Sequence, residues 1–178
     1  MDERCIPIVR VFAVVALFAV CSALIGRTAR GSLRSVPVVV CGDIIGQATG
    51  PRVDGYRLVL GVMSVPPAYM PQGAVHVDGF GRWRYWHKAG MVVRAGKFTV
   101  TVAVPKAWRS RAAITWGNRL GIVNSLRFSG CGTAPLVSEW NAYAGGFYLR
   151  APSACVPLVF RVGHRSTTVR FGIGRHCS

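Results

Sequence analysis

The clearest alternation in the chain runs from Lys97 to Val104, where Phe98, Val100, Val102 and Val104 alternate with Lys97, Thr99, Thr101 and Ala103. A pleat puts those four apolar side chains on one face, whereas helical spacing scatters them around an axis. The pattern predicts a half-buried strand, with Met91 to Arg94 as its hairpin partner across Ala95-Gly96. Val36 to Cys41 predicts a first strand and Tyr56 to Met63 (YRLVLGVM) a second. Pro66-Pro67 closes the second, because neither proline can donate to a ladder. Between them, Asp43 to Gly55 carries Gly46, Gly50, Pro51 and Asp54-Gly55 and reads as loop.

Further strands are expected at Ala112 to Trp116, Ile122 to Phe128, Gly146 to Arg150, Val156 to Val162 and Thr167 to Phe171. Gly117-Asn118, Gly130 to Pro135, Pro152 and Gly163 divide them. Roughly eight to ten short strands with such spacing, and no amphipathic helix, predict an all-β fold, an antiparallel β-sandwich. The strand lengths and a Cys-Trp-Cys set resemble an immunoglobulin-like architecture, although Ser129 and Ser153 stand where the corner tyrosine of that family would be.

Ahead of the strands lies an uncharged run, Val11 to Ile25. A signal h-region needs about 7 to 15 apolar residues and a spanning helix about 20. Extension to Cys5 and Gly26 has only Pro7 and Arg10 against it. Residues 1–26 are therefore expected to form a hydrophobic signal-anchor or transmembrane helix, with secretion after leader cleavage as the alternative. The small-residue site ending at Ala23 is a poor one, since Cys21 occupies its third position back. Residues 27–35 form a basic tether and 36–178 the β domain. Arg27, Arg30 and Arg34 would, by the positive-inside rule, keep that domain in the cytoplasm. The cysteines argue the opposite.

Cys5 and Cys21 fall in the leader, leaving Cys41, Cys131, Cys155 and Cys177 in the domain. An even number in an exported domain predicts two disulfides, and four cysteines allow three connectivities. Cys41 stands at the first strand and Cys177 is the penultimate residue. A Cys41 to Cys177 bridge with Cys131 to Cys155 would tie the two ends together and is the expected pairing. There is no CxxC or HxxxH, so no metal or cofactor is expected. With the segments VPKAWRSRAAITWGN, WNAYAGGFYLR and SACVPLVFRVGHRS, the chain resembles small uncharacterised bacterial envelope proteins built of leader, basic tether and one disulfide-containing β domain. That resemblance implies an extracytoplasmic, membrane-tethered domain and carries no known activity.

Charge sharpens the picture. The chain is 51% apolar with a formal net charge of +16. Setting aside five basic and two acidic residues before Ser35 leaves +13 on the domain. Such an excess attracts anionic surfaces with a strength that fades as salt rises. Arginine dominates the basic residues, and the coding bias of a GC-rich genome would account for that equally well.

Within RWRYWHK, an extended chain puts Arg82, Arg84, Trp86 and Lys88 on one face and Trp83, Tyr85 and His87 on the other. The first face can stack rings and pair anions. The plain structural reading buries Trp83 and Tyr85 in the core while the arginines face water. Trp108-Arg109-Ser110-Arg111 offers the same chemistry on a loop. The candidate anion-binding residues are therefore Arg82, Trp83, Arg84, Trp86, Lys88, Arg109 and Arg111.

Catalytic motifs are lacking: no GxSxG, P-loop, HExxH or GxGxxG occurs. Pro66-Pro67-Ala68-Tyr69 matches a PPxY ligand but reads as an edge-strand turn. Nucleic acid would require a partner outside the cell and is not expected. The sequence thus favours a non-catalytic envelope interaction or structural module that binds an anionic polymer or a partner protein. A glycan-acting envelope hydrolase or transferase with an unrecognised site is the alternative.

Overall fold

In KFTVTVAV the expected pleat forms: Val100, Val102 and Val104 are buried while Thr101 and Ala103 are half-buried. This holds in a computed structural model that describes residues 35–51, 55–118, 120–132 and 139–178, within the unit Ser35–Ser178. The expected helix over 1–26, Cys5, Cys21 and all of the tether but Ser35 lie outside the described residues. Among the described residues no helix is long and apolar enough to cross a membrane.

The strands in chain order are β1 (Val38–Val39), β2 (Gly46–Ala48), β3 (Arg57–Val59), β4 (Met63–Val65), β5 (Tyr69–Met70), β6 (Val75–His76), β7 (Tyr85–Lys88) and β8 (Met91–Arg94). They continue with β9 (Val100–Ala103), β10 (Ala112–Trp116), β11 (Ser125–Phe128), β12 (Trp140–Tyr143), β13 (Gly145–Leu149), β14 (Ala154–Val162) and β15 (Arg165–Ile173). Short 3-10 turns at Cys41–Asp43 and Lys106–Trp108 are the helical elements among them. The domain is all-β, as the periodicity requires.

Three sheets share one apolar core. The six-stranded sheet runs β1-β11-β9-β14-β15-β5, with parallel pairs only at its edges, β1 with β11 and β15 with β5. The four-stranded sheet runs β10-β13-β7-β6 and the five-stranded sheet β2-β12-β8-β4-β3. Inward-facing rings join them: Phe147 of β13 lies 5.5 Å from Phe171 of β15, and Phe128 of β11 lies 5.0 Å from Tyr143 of β12. Tyr69, of the PPAY segment, lies at a sheet edge as expected but within the strand β5 and not in a turn.

Two expected connections differ. YRLVLGVM is not one strand but the hairpin β3–β4, turning at Leu60 and Gly61, whose φ values of 52 and 75 are both positive. Two consecutive left-handed residues make a turn whose twist matches the flanking strands, and Gly61 supplies one at no steric cost. Nor do β8 and β9 form a hairpin. β8 pairs with β12 and β4, while β9 pairs with β11 and β14. Around Ala95-Gly96 the chain changes sheets, its N–H groups donating to Glu139 O and Cys131 O.

The disulfides are Cys41–Cys131 and Cys155–Cys177, correcting the expected pairing. β1 runs parallel to β11 with Val39 opposite Phe128, so Cys41 and Cys131 leave the same sheet edge together, Cα atoms 5.6 Å apart. Cys155 lies opposite Gly172 in the β14–β15 pair, and the fold-back after β15 returns Cys177 to it, Cα atoms 5.2 Å apart. Two disulfides point to an oxidising, extracytoplasmic setting.

Peptide mapping without reduction is expected to recover Cys41 linked to Cys131 and Cys155 linked to Cys177; a Cys41–Cys177 peptide would contradict the fold. The sequence separations are 90 and 22 residues. Loop entropy then makes loss of the first bridge cost about 4.5 kcal/mol and loss of the second about 3.5. Paired Cys→Ser variants should melt in that order.

Candidate functional site: an aromatic and basic sheet face

Cross-strand register places side chains of the four-stranded sheet into rows. Residues opposite one another on adjacent strands share a face, and so do residues two positions along. Ala112, Ile114, Trp116, Phe147 and Leu149 are buried on the inner face, and His87 is almost so. On the outer face, Ala113 lies opposite Tyr148, Tyr148 opposite Trp86, and Trp86 opposite Val75. Two residues along stand Arg111 and Arg150, whose backbones continue the ladder by an Arg150 N–H to Arg111 O bond of 3.2 Å. Arg84 adjoins them, donating its N–H to Leu149 O at 3.1 Å and accepting from the Val77 N–H at 2.9 Å. On the other side of the aromatic row come Thr115, Gly146 and Lys88.

Tyr148 is the hub of three rings. It lies 4.7 Å from Trp86 and 5.2 Å from Phe80, which is 43% exposed. Burial beneath its neighbours pushes the Tyr148 phenol up from its ordinary pKa, so it stays a neutral donor. Gly146 makes the arrangement possible. A Cβ there would stand 2.7 Å from Cη2 of Trp86, so the indole approaches the β13 backbone closely. Gly145 does the same on the inner face for Trp116, whose indole N–H reaches Ala89 O at 2.8 Å.

The candidate residues of the two basic segments come together. Arg82 donates from Nη2 to Arg109 O at 3.1 Å, joining RWRYWHK to the WRSR loop. Its guanidinium also sits 4.6 Å over the Trp83 ring, and that of Arg111 lies 5.3 Å over Trp108. Arg82, Arg84, Lys88, Arg109 and Arg111 are exposed and Trp86 is half-buried. Trp83 is 6% exposed and Tyr85 half-buried, so that face packs inward. Trp83 presents no ring to a ligand; it supports Arg82. Phe80, Tyr148 and Arg150 were missed by sequence reasoning. The signal for the last two was present in GGFYLR, where Tyr148 and Arg150 alternate with core Phe147 and Leu149.

Electrostatically the face is one-sided. The described carboxylates are Asp43, Asp78 and Glu139, and each is engaged elsewhere. Asp43 is 2% exposed and accepts the Val40 and Asn118 N–H groups at 3.0 and 3.1 Å. Asp78 lies 3.8 Å from His76 Nδ1, and Glu139 pairs with Arg94 at 3.2 Å. Among the described residues none comes within ion-pair distance of Arg84, Arg111 or Arg150. No three His, Cys, Asp or Glu side chains among them converge as metal ligands.

Two cavities lie off this face. Glu139 and Arg94 line one, with Phe98 and Gly132 and without a histidine. The other, about 650 Å³, holds His87 beside Tyr56, Met70 and Lys88, without a carboxylate. Burial lowers the pKa of His87, against a smaller opposite pull from Gly73 O, 3.4 Å from Nδ1. Comparison with protein-family models, curated proteins and solved structures finds no match to this chain.

The His87 shift has a consequence for stability. Its folded pKa lies below the unfolded value of 6.5, so the unfolded chain takes up the proton first as pH falls. Stability is full above about 6.5 and is lost as pH falls from there through the folded pKa. His87→Asn, whose amide N–H can replace Nδ1–H toward Gly73 O, is expected to flatten the fall in melting temperature between about pH 7 and 5. An unchanged slope would contradict the assignment.

Proposed function

We propose that this chain is a non-catalytic module of the cell envelope that binds an anionic polymer on the outer face of its four-stranded sheet. The observation that carries the reading is the Phe80–Tyr148–Trp86 ring row, bordered by Arg84, Arg150, Arg111 and Lys88, with no described Asp or Glu side chain within ion-pair distance of them. Rings offer flat apolar surface to sugars or backbone carbons, and guanidiniums pair with the charges between them. Residues 1–26 hold the domain at the outer surface of the membrane through the basic tether, or are removed on secretion. The apolar run and the disulfide-bonded cysteines support this placement. We read the three sheets as a β-sandwich of immunoglobulin-like architecture. Ring contacts from the six-stranded sheet to both of the others support that.

The test is retention of the full-length chain on isolated wall material and on anionic vesicles at low and moderate salt. Affinity should fall steeply with salt, as expected when bound cations are released from a polyanion. Trp86→Ala should weaken it roughly tenfold at fixed salt, the scale of one lost stacking contact. Arg84→Ala should weaken it and also make the salt dependence shallower. Retention indifferent to salt and to both substitutions would overturn the reading.

A further inference from the structure

Beyond Arg111 and Arg150 the sheet end opens into a groove of about 390 Å³. Its walls come from separate parts of the fold: Trp108 and Arg111 from the loop before β10, Arg150 and Ser153 from the turn after β13, Arg170 from β15, and Arg175 from the segment after β15. Four guanidinium-bearing residues line it together with Ser178, and no described Asp or Glu side chain does. Arg111 and Arg150 stand directly opposite in continuing register, an arrangement that like charges disfavour. Ladder geometry holds those two together, and on the groove's rim Arg170 Nη1 donates to the main-chain oxygen of Ser178 at 3.5 Å.

Arg175 is there for a specific reason. Gly174 donates its N–H to Met70 O at 2.9 Å, His176 stacks on Tyr69 at 3.7 Å, and Cys177 is bonded to Cys155, itself a lining residue. Gly172 permits the tight fold-back, because a Cβ there would collide with Arg175 O. The Cys155–Cys177 bond is covalent, and Cys155 itself lines the groove.

We propose that this groove binds a phosphate ester, with Arg111, Arg150, Arg170 and Arg175 as its ligands, and that the Cys155–Cys177 disulfide places Arg175 in it. The proposal rests on the polyanion reading above and names the group recognised. A carboxylate offers two oxygens in one plane and is satisfied by one or two guanidinium forks. A phosphate offers oxygens in several directions, which suits guanidiniums converging from separate elements. Trp108, Ala151 and Ala154 give the carbon part of the ester an apolar wall.

Inorganic pyrophosphate titrated into the oxidised full-length chain at low ionic strength, followed by calorimetry and phosphorus NMR, tests this. Saturation at one equivalent is expected, with at least tenfold weaker binding in Arg150→Ala and Arg175→Ala. Cys155→Ser with Cys177→Ser should weaken binding to the same degree although all four arginines remain. Adding Arg175→Ala to that pair should cost nothing further, a non-additivity that general destabilisation would not produce. Melting curves select the variants that remain folded; Arg175→Ala, on an exposed side chain, serves by itself if the cysteine pair does not fold.

Binding of Arg175→Ala at wild-type strength, or of tricarballylate as tightly as pyrophosphate, would overturn the proposal. Phosphatidylglycerol vesicles separate the sources: Arg175-dependent vesicle binding makes a lipid headgroup the donor, and pyrophosphate binding without it makes a soluble ester the donor. Either result supports phosphate recognition. Trp86→Ala, uncharged and outside the groove lining, should lower polymer retention while leaving pyrophosphate affinity within twofold. Loss of the sheet-face reading alone is thereby distinguished from loss of the groove.

Discussion

Trp116 and Trp86 approach the backbone of β13 from opposite sides, and both approaches depend on the absence of a side chain at Gly145 and Gly146. On the inner side, Trp116 is fully buried, keeps its indole N–H bonded and meets Phe147 edge to face at 5.6 Å. On the outer side, Trp86 comes close to the Gly146 backbone and brings its ring 4.7 Å from that of Tyr148. One strand thus anchors the core and supports the outer aromatic face. A bulkier residue at either glycine would lift an indole and push against a neighbouring carbonyl, of Thr115 at Gly145 or of His87 at Gly146. Core packing and site geometry are the same constraint seen from two sides.

Charge is the second constraint. Two exposed cations about 5 Å apart in water repel by about 0.8 kcal/mol before salt screening, which a folded domain tolerates easily. The repulsion matters when several guanidiniums are held in register and no described Asp or Glu side chain answers them. The described acids are engaged with backbone amides, His76 or Arg94. On the reading proposed above, an anion is the partner the row lacks.

What was legible in the sequence was local. The alternations of Lys97 to Val104 and of RWRYWHK assign the right faces, because a pleat has a fixed period whatever it pairs with. Strand partners were not legible. Met91 to Arg94 and Val100 to Ala103 look like a hairpin by spacing, yet each is held by strands distant in the sequence. The disulfide pairing failed for the same reason, since it depends on β1 lying parallel to β11, a contact across 90 residues that no local pattern encodes. Tyr148 and Arg150 carried only the alternation of GGFYLR, and register was needed to place them on this face; Arg170 and Arg175 joined the candidate residues through fold-back alone. Their own segments carry no motif, whereas the interleaving of aromatic and basic residues at 82–88 is visible in seven consecutive letters.

The chain's five tryptophans supply the most direct measurement. Indole N–H resonances of the isotopically labelled full-length chain, followed during titration with a soluble glycerol-phosphate polymer, report which ring meets the ligand. Trp86 should shift progressively and lose its shift on addition of salt, while the buried indoles of Trp116 and Trp83 stay in place. Shifts at Trp116 or Trp83 with Trp86 unmoved would contradict the assignment of the outer sheet face as the binding surface.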